Sequence, residues 1–205
     1  MQEQSEAGQW VVVWDPLVRG FHWGMVLLFG VACYTAEWGQ NETHFLAGYG
    51  ISILLLIRII WGFIGSTHAR FRHFFYGPTL TWGYARSLLK GQPRHFLGHN
   101  PLGAAMVFVL LALLLVLALS GLLLMATLEF EGPLLPLAPV FSDQQVYWLL
   151  RVHRLSEKLI LVCVALHLLG VISASHQHRE NLVKAMVTGK KLSQTSSQSQ
   201  QGSTQ

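Results

Sequence analysis

Four long, mostly apolar runs, at residues 18–37, 45–65, 102–128 and 147–173, constrain this chain more than any motif in it. Each is about twenty residues or longer, and a helix of that length crosses a hydrocarbon core of roughly 30 Å at about 1.5 Å per residue. Only 12% of the residues are charged, about half the share of an average soluble domain. In lipid a spanning segment must satisfy its own backbone, and short connections keep consecutive segments side by side. The sequence therefore predicts an all-α integral membrane protein, an up-and-down bundle of four transmembrane helices. The bundle occupies residues 17–175, after an N-terminal segment at 1–16 and before a tail at 176–205 that loses all apolar content from about 192 and reads as disordered.

Orientation follows from loop charge. The connection between the second and third runs holds Arg70, Arg72, Arg86, Lys90 and Arg94 and no acid. The tail adds Arg179, Lys184, Lys190 and Lys191 against Glu180. The other two loops carry Glu37, Glu42, Glu129, Glu131 and Asp143. Basic loops stay in the cytoplasm, so both termini are expected there. Within the basic loop, residues 77–91 set Trp82, Tyr84, Leu88 and Leu89 against Arg86 and Lys90, the pattern of a short helix lying in the membrane interface. The first sixteen residues lack the basic start of a secretory signal, and no phosphate loop, nucleotide fingerprint or nucleic-acid-binding pattern occurs.

The two cysteines, Cys33 and Cys163, fall at depths too different for a relaxed disulfide, and no CxxCH motif attaches a haem covalently. The ten histidines are more informative. Ionisable residues inside a membrane are costly and usually functional, and four histidines lie within or at the edge of the apolar runs: His22, His44, His153 and His167. Fourteen helical positions separate His153 from His167, which leaves them within about 40° of one face and about 21 Å apart in depth. With alternating helix directions, His22 shares the inner depth with His167 and His44 the outer depth with His153. Two imidazoles at one depth on facing helices can ligate a planar cofactor between them. Zinc asks for three or four ligands at one depth and each layer offers two; interhelical hydrogen bonding is the bland alternative. Haem suits the arrangement. Bis-histidine ligation fills both axial positions, which favours electron transfer over chemistry at the iron.

Arg58, fourteen residues after His44 and on nearly the same face, is positioned either to snorkel or to pair with a propionate of the inner haem. Gly24, Gly30, Gly48, Gly50 and Gly121 allow close approach of a ring or a helix. His68, His95, His99, His176 and His178 read as non-ligands, with His68 the one that could touch a propionate or quinone.

The stretches "VWDPLVRGFHW" (11–23), "HFLAGYGISILLLIRIIWGFIGSTHARF" (44–71), "GHNPLGA" (98–104) and "HRLSEKLILVCVALHLLGVISASHQHRENLVKAMVTGK" (153–190) resemble the bacterial cytochrome b561 family, which includes the b-type cytochrome subunits of membrane nickel–iron hydrogenases. The resemblance implies a four-helix bundle in the bacterial inner membrane with two haem b groups on the four histidines. It implies a carrier passing electrons between the quinone pool and a redox partner, expected here to be a periplasmic cytochrome docked on the acidic outer loops. Trp14, Asp15, Arg19, His68 and Arg70 are the inner candidates for a quinone site. A hydrogenase or dehydrogenase membrane subunit is the alternative within that class, and a haem-free anchor or transporter is the alternative outside it. Whether the chain is itself an enzyme is left open by its residues.

Overall fold

The computed structural model describes residues 10–90, 96, 98–178 and 180–192. Among them six α-helices and two short strands follow in the order β1 (Trp10–Val12), α1 (Pro16–Glu37), α2 (Asn41–Ile64), α3 (Pro78–Leu89), α4 (Pro101–Leu124), α5 (Asp143–His178), α6 (Leu182–Thr188) and β2 (Lys190–Leu192). Four of them are long and apolar enough to cross a membrane: α1, α2, α4 with its continuation to Glu129, and α5.

The helix starts are written locally. Asp15 caps α1 by accepting from the Val18 amide, with Pro16 in the first position, and Asn100 does the same for α4 through Gly103, followed by Pro101. Asn181 caps α6, and Gly189 closes it at φ 79°, a left-handed conformation that glycine adopts without cost. Helix α4 ends in a π-helical turn, Met125–Glu129, stopped by Phe130 at φ 56°. The Tyr49 hydroxyl donates to the Met125 sulfur at 3.0 Å and ties that turn to α2.

Two features differ from the sequence reading. Helix α5 extends beyond the apolar run at both ends and, with 36 residues, is about 54 Å long, well over a bilayer core. An apolar run marks only the part of a helix that lipid can touch; Gln144, Gln145, Ser175 and His176 continue it through propensity and packing. The basic loop contains one helix, α3, within the segment expected to lie at the interface. The N-terminal segment and the tail are not independent: β1 and β2 pair antiparallel, with Trp10 opposite Leu192 and Val12 opposite Lys190. The amides of Val13 and Trp14 both donate to the Gly189 carbonyl, and Arg19 donates to the Val187 carbonyl. Strands of three residues are too short to show alternation, so their pairing is invisible before the ends meet. The part of the tail expected to be disordered lies outside the described residues, as does His95.

The ribbon joins residues 10–12 to 190–192 at one end of the bundle, called here the near end. Packing is uneven around the four long helices. Helix α1 lies against α2, α4 against α5, and α2 against α4, while α5 has no comparable packing with α1 or α2. The core is accordingly made by Met25, Ala32, Ala47, Ile51, Leu55, Leu114 and Leu117, and α5 contributes Ile160. The outer faces carry exposed large apolar side chains such as Leu27, Ile53, Phe63, Leu119 and Leu169, the surface a lipid environment demands.

Candidate functional site: two facing histidine pairs

Where α5 stands off from α1 and α2, histidines bridge the gap. At the near end His22 of α1 faces His167 of α5, with ring centroids 6.4 Å apart and planes at 53°. At the far end His44, in the first turn of α2, faces His153 of α5 with the same 6.4 Å separation and planes at 75°. Helical arithmetic anticipates both pairs. A metal bound between two imidazoles by nitrogen bonds of about 2 Å holds the ring centroids about 6 Å apart, so each pair has the spacing of two ligands sharing one metal. Among the described residues, no three His, Cys, Asp or Glu side chains come together as a metal cluster. A metal held by either pair would need its remaining ligands from a cofactor.

The two pairs are held differently. His44 Nδ1–H donates to the Ala32 carbonyl at 2.9 Å. His153 Nδ1 lies 3.1 Å from the Leu117 carbonyl and 3.0 Å from Ser120 Oγ, whose hydroxyl in turn donates to Leu117 at 3.0 Å. A carbonyl only accepts, so both Nδ1 atoms carry the proton and Nε2 keeps its lone pair for a metal. Gly121 makes room for this: a Cβ there would sit 3.1 Å from His153 Cε1. At the near end His22 Nδ1 is buried with no hydrogen-bond partner among the described residues.

Arg58 is 3% exposed in the near half of α2. Its guanidinium carbon lies 4.9 Å from the centroid of the Phe71 ring, and its Nη1 is buried with no hydrogen-bond partner among the described residues. A snorkelling arginine would place that head in water. This one keeps it inside, near Asp15, the acid in its electrostatic reach.

Of the polar residues proposed around a near-end quinone site, several are engaged in holding the scaffold. Asp15 accepts from Trp61 Nε1 at 3.1 Å and from the Ser66 hydroxyl, besides capping α1. Burial works to raise its carboxyl, but the bonds from Ser66, Val18, Trp61 and Leu17 outweigh that and hold it below the ordinary carboxylate value. Arg70 donates to the Gly65 carbonyl at 2.8 Å, and Arg19 to Val187 at 2.6 Å. His68 lines a cavity of about 90 Å³ with His73, Phe74, Tyr76, Gly98 and His99.

His99, read from sequence as a loop residue, is the one most displaced from expectation. Its ring centroid lies 4.6 Å from those of both Trp14 and Phe74. Burial, then the cations Arg58 and Lys191 and the rings of His68 and His167, push it down to about 3, so it is neutral. The signal was its place in "GHNPLGA", just ahead of the α4 cap and so at the depth of the inner pair. Glu157, one turn after His153, carries no motif of its own in the sequence and lies against Cys33 of α1. Both cysteines are free. The glycines divide: Gly24 and Gly50 meet Leu54 and Leu28 and close the α1–α2 contact, whereas Gly30 and Gly48 face open space.

The sequence comparisons agree with this geometry. The family described as prokaryotic cytochrome b561 matches residues 13–189, nearly the whole described chain. Among curated proteins, the chain is 28% identical over 167 residues to a probable Ni/Fe-hydrogenase B-type cytochrome subunit of Rhizobium leguminosarum, covering 73% of this chain and 67% of that one. It is 26% identical over 162 residues to the subunit of the same description in Rhodobacter capsulatus, covering 71% of this chain and 60% of that one. The matched stretch thus spans about two thirds or less of these relatives' own length. No solved structure matches the chain. A b-type cytochrome implies haem b, and the four long apolar helices suit a multi-pass membrane cytochrome. The chain belongs to the prokaryotic cytochrome b561 family.

Proposed function

We propose that the chain binds two haem b groups and serves as the membrane cytochrome of a hydrogenase or similar dehydrogenase, carrying electrons across the bacterial inner membrane to the quinone pool. The observation that carries the reading is the pair of 6.4 Å imidazole separations, one at each end of the bundle, where α5 stands off from its neighbours. His22 and His167 would hold the near-end haem, and His44 and His153 the far-end one. The near end faces the cytoplasm with both termini, as the basic loops favour.

The sequence reading put a periplasmic cytochrome first as partner and a hydrogenase second. The relatives named above favour the second order, since both are described as hydrogenase cytochrome subunits. Each relative extends beyond the match, so the partner and the whole assembly's activity remain part of this proposal.

When bound, haem supplies the one-electron exchange at iron; the protein supplies ligation, spacing and charge. Fourteen residues of α5 set the two ligand layers about 21 Å apart along the helix. Arg58, buried with a donor that has no partner among the described residues, is suited to a propionate of the near-end group, because a guanidinium fork matches a carboxylate. The small cavity between His68 and His99 is where a quinone head could reach polar partners beside that group.

A dithionite-reduced minus oxidised spectrum of the purified protein, with pyridine haemochrome quantitation, tests the reading. Close to two b-type haems per chain supports it. One haem would make one histidine layer structural. None, after haem-replete expression, would sink it and leave a haem-free anchor.

A further inference from the structure

The hydrogen bonds behind the two histidine pairs are unequal, and the inequality has a direction. At the far end both rings donate from Nδ1 to backbone carbonyls, those of Ala32 and Leu117, in residues that are each 8% exposed. Ser120, 3% exposed, completes the arrangement: it accepts from His153 Nδ1 and donates to the same Leu117 carbonyl. At the near end His22 Nδ1 is buried without a partner among the described residues, and the buried guanidinium of Arg58 lies on that side of the bundle.

An imidazole that donates from Nδ1 to a carbonyl gains electron density at Nε2 and becomes a more basic ligand. A more basic axial ligand stabilises the oxidised metal, and second-shell hydrogen bonding is one of the levers that set the potential of a haem iron. A ring without that bond lacks the effect, and a nearby buried cation favours the reduced metal. Both differences act in the same sense.

We propose that the far-end site has the lower reduction potential of the two, and that Ser120 is a positioning residue that helps to lower it by holding His153. The inference rests on the di-haem reading above. It makes inward transfer downhill: one electron leaves the far-end iron, which is oxidised from ferrous to ferric, and reduces the near-end iron from ferric to ferrous. No bond is made or broken and no proton is required.

Potentiometric titration of the full-length protein in detergent, followed at the haem absorbance, tests the proposal. His44→Leu and His22→Leu proteins are each expected to retain a single haem. The His44→Leu protein is expected to keep the higher-potential component and the His22→Leu protein the lower one. Ser120→Ala is expected to shift the lower component to more positive potential at unchanged haem content, with the higher one unmoved and Ser120→Thr restoring the original value. The opposite ranking in the single-haem proteins, or a Ser120→Ala protein in which neither component moves, would overturn it. A wild-type protein without two haems would instead defeat the di-haem reading itself, which separates the two failures.

Discussion

Arg58 and Phe71 meet inside the near end of the bundle, the guanidinium carbon 4.9 Å from the ring centroid, with one guanidinium nitrogen buried and without a hydrogen-bond partner among the described residues. The ring offers the cation a favourable face but no acceptor. A buried, half-satisfied arginine is costly unless something else completes it, and a guanidinium fork matches a carboxylate such as a propionate of the proposed near-end haem.

Replacing Arg58 with leucine is therefore expected to weaken retention of the near-end haem about tenfold, in line with the loss of an outer-shell partner at a metal site. Haem-to-protein ratio and the potential of the near-end component are the readouts. An unchanged spectrum and titration would reduce Arg58 to a packing role.

The histidines should fail in pairs. His22→Leu and His167→Leu are expected to remove the same spectral component, and His44→Leu and His153→Leu the other, leaving about one haem per chain each time. Difference spectra of the four purified variants decide this. Loss of both components from every single change would mean global instability and would remove support for the pairing.

Gly121 offers a test that leaves all four ligands in place. A Cβ there would lie 3.1 Å from His153 Cε1, and a full leucine side chain would displace the ring from its carbonyl bond. Gly121→Leu is expected to lose the far-end haem and keep the near-end one, measured again by haemochrome quantitation. Retention of both would show that the ring can approach from another side.

Acid should loosen the near end in two separate windows. His99 is pushed from an ordinary 6.5 to about 3 by burial and surrounding positive groups, so its neutral form is favoured by folding. That contribution is complete above 6.5 and is lost as pH falls from there toward 3. Asp15 behaves at lower pH: its depressed carboxyl contributes above the ordinary carboxylate value, and that contribution fades as pH falls through it. Thermal unfolding in detergent as a function of pH should show a decline below about neutrality that His99→Gln flattens. Asp15→Ala should also cost about 1 kcal/mol at neutral pH through loss of the α1 cap. A His99→Gln protein with the same pH slope as the parent would show that His99 does not govern it.

What the sequence determined by itself is what helical periodicity and apolar length determine. A run of about twenty apolar residues implies a span, and fourteen residues on one helix imply two levels on one face, so the four spans and the matching of His22 with His167 and His44 with His153 were legible before any coordinates. Those are properties of a single helix and its direction. Bonds between distant segments are not. Ser66 reaches Asp15 across 51 residues, His153 reaches Ser120 across 33, and Arg19 reaches Val187 across 168. The β1–β2 ribbon, the neutral His99 between Trp14 and Phe74, and the unequal anchoring of the two histidine pairs all depend on which helix faces which, and by how much each is rotated. Tertiary packing alone decides those. The reason is geometric: periodicity sets where a side chain stands on its own helix, while its partner depends on the relative placement of elements that share no local pattern.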